Sequence, residues 1–79
     1  MIEVADASLT YDQHSKIPLY ASAGIKEVWI VDLIRSRIHA YRDPVLSQRN
    51  YTMVSVSDRL TWVSPREFPD IRIRLADML

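Results

Sequence analysis

The stretch that decides the fold is Ile2-Glu3-Val4-Ala5, which a helix-like region separates from Val28-Trp29-Ile30-Val31. The first run has the alternating period of a β-strand, and the second has four consecutive apolar residues, which is typical of a strand covered on both faces. Leu9 to Ala23 reads as helical. Gly24, the single glycine of the chain, follows where a left-handed residue commonly ends a helix. The order strand, helix, strand predicts two parallel strands joined by the helix.

The rest of the chain favours antiparallel strands. Arg37 to Arg42 and Asn50 to Val56 alternate as strands, and Asp43-Pro44 predicts a break between them. Ile71 to Leu75 shows the cleanest alternation in the chain, and we predict a further strand there. Inside the helical stretch, Pro18 predicts either a kink or a restart with Pro18 at the first helical position. The predicted fold class is α/β in a mixed α+β arrangement: a strand–helix–strand unit followed by antiparallel strands.

Composition limits the classes of function. The 79 residues, 48% hydrophobic and 25% charged, predict one globular domain. Ten basic and ten acidic residues give no net charge, so contact with nucleic acid would need a local patch. The absence of cysteine excludes disulfides and thiolate metal sites. Because no apolar run approaches the roughly 20 residues of a membrane span, we expect a cytoplasmic protein without a membrane partner.

A carboxylate and an ammonium fall on the two elements that a strand–helix unit places side by side. Glu3 lies on the first strand, and Lys16 lies on the following helix, with Asp12 one turn before it and Tyr20 one turn after it. Metal-dependent cleavage of a phosphodiester needs hard oxygen ligands and a cation that stabilises charge on the phosphate. Glu3 is therefore a candidate catalytic residue and metal ligand. Lys16 is a candidate catalytic residue that stabilises the phosphate or orients the water, and Asp12 is a candidate catalytic residue as the companion of Lys16.

Each of these residues also has a plainer interpretation. Glu3 could be a buried acid with a local partner, and Asp12 with Lys16 could be an exposed pair worth roughly 0.5 kcal/mol or less. Tyr20, which continues the line of Asp12 and Lys16 by another turn, could hydrogen-bond either group, or it could contribute only packing. One carboxylate is also too few for a metal site, and the sequence offers no second acid from a neighbouring strand. The residues alone leave both interpretations open.

Several short motifs carry a family resemblance: Ile2-Glu3-Val4-Ala5-Asp6, Tyr11-Asp12 with Lys16, Leu19-Tyr20-Ala21, Ala23-Gly24-Ile25 and Glu27-Val28-Trp29-Ile30-Val31-Asp32. In these motifs the chain resembles the C-terminal half of the Uma-type restriction endonuclease domain, a family of the PD-(D/E)XK nuclease superfamily. Residues 37–43 and 68–73 resemble it as well. The resemblance covers essentially the whole chain and is densest over residues 2–32.

The resemblance implies roles for individual residues. Glu3 matches the glutamate of the (D/E)XK motif, but the usual lysine two residues later is Ala5 here. Lys16 matches a lysine that this family carries on the following helix, with Asp12 beside it. The complete family fold is expected to use Mg²⁺ or Mn²⁺ and to act on DNA. The superfamily's first aspartate lies on a strand upstream of Glu3, and no residue of this chain matches it.

Two hypotheses of function follow. In the first, residues 1–79 form a single restriction-endonuclease-like core remnant, incomplete at its N-terminus, of a metal-dependent DNA endonuclease of the PD-(D/E)XK type, and this form is inactive because the upstream metal-binding aspartate is absent. In the second, the chain is a non-catalytic module that self-associates. The unpaired apolar edge of the strand that carries Glu3 would recruit another copy and give a homo-oligomer.

Overall fold

The computed structural model describes residues 1–5 and 12–78, and at positions 12 and 78 it describes the backbone alone. The described residues form, in chain order, β1 (Ile2–Ala5), a π-helical turn (Asp12–Lys16), α1 (Ile17–Ser22), β2 (Glu27–Asp32), β3 (Arg37–Val45), a 3₁₀ turn (Leu46–Gln48), β4 (Asn50–Asp58) and α2 (Leu75–Met78). This architecture confirms the predicted α/β fold class with its mixed α+β arrangement.

The four strands form one mixed sheet in the order β1-β2-β3-β4. β1 runs parallel to β2, with Glu3 opposite Ile30, and β2 pairs antiparallel with β3, with Ile30 opposite His39. β3 pairs antiparallel with β4. The predicted parallel strand–helix–strand unit and the antiparallel strands that follow it are therefore confirmed.

The helical region changes geometry at its proline. The π-helical turn ends at Lys16, and α1 begins at Ile17, so Pro18 is the second residue of the new helix. Proline lacks the amide hydrogen that would continue the helical hydrogen bonds, and the change from π-helical to α-helical geometry falls directly before it. The backbone of Lys16 is already helical, so the predicted restart takes the form of a change of helix type without a break, and Pro18 is not at the first position of α1. Lys16 lies at the N-cap of α1.

Gly24 ends α1 in the left-handed conformation that the sequence predicts. Its φ is 74°, its amide donates to the carbonyl of Ala21, and the amide of Ile25 donates to the carbonyl of Tyr20. These two bonds form a Schellman motif, in which a hydrophobic contact usually accompanies the turn. Tyr20 and Ile25 both pack against the core on this side of the sheet. The motif thereby fixes the direction in which the chain enters β2.

Both faces of the sheet are covered, as the unbroken apolar run of β2 predicts. On the α1 side, Val28 and Ile30 pack in a buried cluster with Ile17 and Ala21 of the helix. On the opposite side, a second cluster combines strand residues with residues that follow β4; its members are Trp29, Val31, Ile38, Ala40 and Leu75, with Val63 and Ile73 packed against them.

The strand break predicted at Asp43-Pro44 is wrong, because β3 continues to Val45. The last residue of β3 that pairs with β2 is Arg42, so Pro44 has only β4 beside it and its missing N–H interrupts no pairing with β2. Asp43 has a φ of 58°, a left-handed conformation that aspartate tolerates better than most residues. The left-handed backbone at Asp43 and the missing amide hydrogen at Pro44 therefore do not end the strand.

The strand predicted over Ile71 to Leu75 is also wrong. The segment makes a single antiparallel bridge, between Val63 and Ile73, and Leu75 already begins α2. The alternation arises because Ile73 and Leu75 point into the second core cluster while Arg72 is exposed. An extended segment that packs on one face of a sheet thus shows the same alternation of apolar and polar residues as a strand within the sheet.

Among the described residues, β1 and β4 are the two edges of the sheet. Ile2 and Val4 of β1 are exposed, as are Met53, Val54 and Val56 of β4. Within the described part of the chain, no helix is long and apolar enough to cross a membrane.

Candidate functional site

Glu3 lies where the side chains of α1 can reach it. It pairs in register with Ile30, whose side chain packs on the α1 side of the sheet, and neighbouring residues of paired strands share a face. The carboxylate of Glu3 is only partly buried, with 25% of the side chain exposed. The strand therefore presents an accessible acid beside the helix.

Lys16 and Tyr20 converge on this carboxylate. The Nζ of Lys16 lies 3.3 Å from Oε2 of Glu3, and the hydroxyl of Tyr20 donates to Oε1 at 2.5 Å. The two side chains come from the N-cap of α1 and from the helical turn after it, so they lie on the same side of the helix. The structure thus brings together Glu3 and Lys16, as the sequence predicts, and adds Tyr20 as a direct partner of the acid.

These contacts determine the charge of Glu3. The hydrogen bond from Tyr20 is the largest influence that lowers its pKa, partial burial works against this, and Lys16 lowers the pKa further through its hydrogen bond and its charge. The net result is a pKa below the usual glutamate value. Glu3 is therefore ionised at neutral pH, as an acid that binds a cation must be.

Asp12 is the other site residue that the sequence predicts. The backbone of Asp12 begins the π-helical turn that ends at Lys16, but its side chain lies outside the described part of the structure. Asp6, which follows β1, lies outside the described residues altogether. The role predicted for Asp12 stays a prediction.

The described residues do not by themselves make a metal site. They contain no cluster of three acidic or histidine side chains that could hold an ion. Glu3 contributes one carboxylate, and each of its oxygens already accepts a hydrogen bond. Hard divalent cations take six or more oxygen ligands, some of them from water. The side chains of the described residues therefore do not supply a complete set of ligands for such an ion.

The expectation that no second acid comes from a neighbouring strand is wrong, because Asp32 is the last residue of β2 and lies on the same face as Glu3. It pairs in register with Ala5, two residues along from Glu3, but it is almost completely buried. Its carboxylate accepts hydrogen bonds from the amides of Ile34 and Arg35 and from the guanidinium of Arg35. Burial alone would raise the pKa of Asp32, but these hydrogen bonds hold the pKa below its usual value. Asp32 therefore stabilises the turn between β2 and β3.

Glu27 is a second acid that sequence reasoning missed. Its carboxylate accepts hydrogen bonds from the guanidinium of Arg42, from the indole of Trp29 and from the backbone amide of Arg66. Arg42 also donates to the carbonyl of Ser64 at 2.8 Å. Glu27 thus joins the sheet to the irregular segment after β4. The only sequence signal for it was an acid followed two residues later by tryptophan, which shares its face of the strand.

His39 and Tyr41 lie on β3 on the α1 side of the sheet. The amide nitrogen of Gln13 lies 2.9 Å from the hydroxyl of Tyr41 and 3.4 Å from Nδ1 of His39. Burial lowers the pKa of His39, and the charges of Arg37 and Arg35 add to this although Asp32 opposes it. His39 is therefore neutral at neutral pH, in line with the structural role that its position on a strand suggests.

Comparison with known proteins identifies the family. A family model named Uma2, described as "Putative restriction endonuclease", matches residues 1–76. Neither the curated proteins nor the solved structures gave a match. The mixed four-stranded sheet with its short helix is consistent with a restriction-endonuclease-like core. Because the match covers nearly all of the 79 residues, the chain belongs to the Uma2 family of restriction-endonuclease-like domains.

Proposed function

We propose that this chain is part of a metal-dependent DNA endonuclease, with Glu3 as a metal ligand and Lys16 as the cation that binds the DNA phosphate. The observation that carries the proposal is the convergence of Lys16 and Tyr20 on Glu3 in a member of a restriction endonuclease family. A carboxylate can supply one oxygen ligand to a hard cation, and an adjacent ammonium can stabilise charge that develops on a phosphate. A bound divalent ion would supply charge stabilisation and an activated water.

Each of the three residues has a distinct task in this proposal. Glu3 provides an ionised oxygen donor. Lys16, which is 39% exposed and is held near the acid by charge, can turn towards a phosphate oxygen when DNA arrives. Tyr20 keeps the Glu3 carboxylate oriented after Lys16 leaves it. Asp12, four residues before Lys16, is proposed to guide the position of its ammonium.

We further propose that the 79-residue form does not cleave DNA on its own. Both oxygens of Glu3 already accept hydrogen bonds, so a metal ion must compete with Lys16 and Tyr20 for the carboxylate. One carboxylate that already has these partners binds a metal ion weakly, because affinity for hard cations rises with the number of charged ligands. An additional acid, from outside the described residues or from another chain, would be needed for activity.

DNA binding and DNA cleavage test the proposal separately. In fluorescence anisotropy with a labelled duplex, Lys16→Met should weaken binding and lower the slope of log K against log salt by about 0.9, the value for one lost phosphate contact. Lys26→Met, which removes the other lysine of the chain, is the matched control and should leave the salt slope at the value of the wild-type chain. Equal effects of the two variants, or no binding of DNA at low salt, would contradict a phosphate role for Lys16.

Cleavage is measured as nicking of supercoiled plasmid with Mg²⁺ or Mn²⁺. Neither the 79-residue chain nor its Glu3→Gln variant should nick the plasmid above the level of a protein-free control. Nicking that Glu3→Gln abolishes would overturn the proposed inactivity while supporting the site. Nicking that survives Glu3→Gln would contradict the assignment of Glu3.

A second candidate function is a non-catalytic module that self-associates. It is favoured by the two sheet edges, on which apolar side chains are exposed. Natural proteins usually protect such edges with charge, proline or a covering element, since an open edge pairs with other strands. Sedimentation at high micromolar concentration tests this candidate. A species at the 9.2 kDa mass of one chain would contradict it.

A further inference from the structure

The edge strand β4 has the properties of a surface that pairs with another strand. It is nine residues long, and its one strand neighbour within the described sheet is β3. Residues 51–57 include no charge, no proline and no glycine, so the devices that usually block pairing at an edge are missing from its centre. Met53, Val54 and Val56 are each about half exposed. β4 therefore offers both open backbone groups and apolar side chains.

The other edge is less suited to pairing. β1 has only four residues, and Glu3 in its centre carries a charge that Lys16 and Tyr20 bind. A contact between β1 of one copy and β4 of the next would also be a head-to-tail contact, which needs a ring of several copies to close or otherwise builds an open filament. A contact between two β4 strands closes with two copies.

The sequence of β4 is compatible with pairing against itself. We propose that β4 pairs antiparallel with β4 of a second copy about a two-fold axis at Val54, which extends the sheet across the two chains. Val54 is the midpoint of Asn50–Asp58, so this register pairs the whole strand with the whole strand. It places Val54 opposite Val54 of the second copy, Thr52 opposite Val56, and Met53 opposite Ser55.

This register makes the side chains of the two copies complementary. Thr52, Val54 and Val56 alternate along the strand and so share a face, and the two-fold axis gives a row of six β-branched residues on that face. Cross-strand pairs of β-branched residues stabilise antiparallel pairing. β4 itself carries one charge, Asp58 at its end, which this register places opposite the uncharged Asn50 of the second copy, so no like charges face each other within the paired strands. The partner that fits this edge is therefore a second copy of the chain.

The inference gives the self-association proposed above a specific surface, and it does not depend on the nuclease chemistry. Sedimentation equilibrium should give twice the 9.2 kDa chain mass for the wild type. Val54→Lys places two like charges opposite each other at the axis and should give monomers. Val4→Lys makes the same change at the β1 edge, where the residue is similarly exposed, and should leave the dimer intact. Circular dichroism checks that each variant is folded.

Cysteine crosslinking tests the register, because the natural chain contains no cysteine. Val54→Cys should form an intermolecular disulfide on oxidation, since residues opposite each other in a sheet have Cα atoms within bridging distance. Ser55→Cys is the control. Its counterpart in the second copy lies two residues out of register, about 8 Å away by strand geometry, which is too far for a disulfide.

Three results would overturn the inference. The first is a monomeric wild type at high micromolar concentration. The second is a dimer that persists in Val54→Lys or that Val4→Lys disrupts equally. The third is crosslinking of Ser55→Cys as efficient as that of Val54→Cys. None of these results bears on metal or DNA binding at Glu3 and Lys16, so failure of this inference leaves the proposed nuclease site to its own tests.

Discussion

The ammonium of Lys16 lies 3.3 Å from the carboxylate of Glu3, although 13 residues separate them in the sequence. Lys16 lies at the N-cap of α1, directly after the π-helical turn. Tyr20, one turn further along, binds the other oxygen of Glu3. The hydrogen bonds that Glu3 accepts from these two residues therefore join β1 to α1 within the parallel β1–α1–β2 unit.

Removing the hydroxyl of Tyr20 should change the ionisation of Glu3. The hydrogen bond from Tyr20 is the largest influence that lowers the Glu3 pKa, so Tyr20→Phe should raise that pKa towards the ordinary glutamate value. The measurement is a carbon-13 NMR titration of the Glu3 carboxyl group. Tyr51→Phe is the control, because the hydroxyl of Tyr51 donates to the carbonyl of Ile25 and not to Glu3. An unchanged Glu3 pKa in Tyr20→Phe would show that the hydrogen bond is absent in solution.

Acid should destabilise the fold partly through Glu27. Burial by itself raises its pKa, but hydrogen bonds from Arg66, Arg42 and Trp29 outweigh this and hold the pKa below the ordinary value. A carboxyl whose pKa is lower in the folded state stabilises the protein above its unfolded pKa, and that contribution is lost as the pH falls through the folded pKa. The free energy of unfolding should therefore fall over the acid range below the ordinary pKa of a glutamate.

Glu27→Gln isolates this contribution. It should lower the free energy of unfolding at neutral pH by about 1–3 kcal/mol, because Arg42 loses a charged partner. It should also make the free energy of unfolding depend less on pH in the acid range. Urea unfolding at neutral and acid pH measures both effects. The exposed Glu67→Gln is the control and should change stability by about 0.5 kcal/mol or less. Similar results for the two variants would contradict the proposed role of Glu27, which is to join the sheet to the irregular segment after β4.

The second core cluster should depend on Leu75. This side chain is fully buried at the start of α2, so Leu75→Ala should cost about 2–5 kcal/mol of unfolding free energy. Ile71→Ala, at an exposed position four residues earlier, should cost about 0.5 kcal/mol or less. Chemical denaturation followed by tryptophan fluorescence gives both values. Equal costs would instead favour the strand that the sequence predicted over this segment.

Gly24 should resist substitution because of its backbone and not its surroundings. A Cβ at this position would meet Leu46 at 3.9 Å, which is ordinary contact, but the φ of 74° disfavours L residues. Gly24→Ala should therefore lower stability by about 1–2 kcal/mol, and Gly24→Asn should lower it less, since asparagine tolerates this conformation. Thermal and urea unfolding compare the two. An alanine variant as stable as the wild type would contradict the left-handed end of α1.

The elements that sequence reasoning predicted correctly share a local signal. β2 was predicted from four consecutive apolar residues, and the end of α1 was predicted from the single glycine. The meeting of Glu3 with Lys16 was also predicted, because a strand followed by a helix at this spacing places the two side by side. In each case the pattern and its structural consequence lie within one strand–helix–strand unit.

The features that sequence reasoning missed depend on distant partners. Pro44 is accepted in β3 because β2 has already ended beside it, and Ile73 alternates because it docks on the sheet. Glu27 became a connecting acid only when Arg42 and Arg66 folded around it, the latter 39 residues away. The pattern of residues along one segment does not show where a neighbouring strand ends or which distant segment packs against a given acid.

Paramagnetic broadening by Mn²⁺ tests the central claim most directly, since it reports metal binding at Glu3 without requiring cleavage. Small additions of Mn²⁺ should broaden the amide signals of β1 and of Ile30, the register partner of Glu3, and Glu3→Gln should abolish this. Lys16→Met should strengthen the broadening because it removes the competing ammonium, whereas Lys26→Met should not. Broadening that is centred elsewhere, or that persists unchanged in Glu3→Gln, would contradict the assignment of this site.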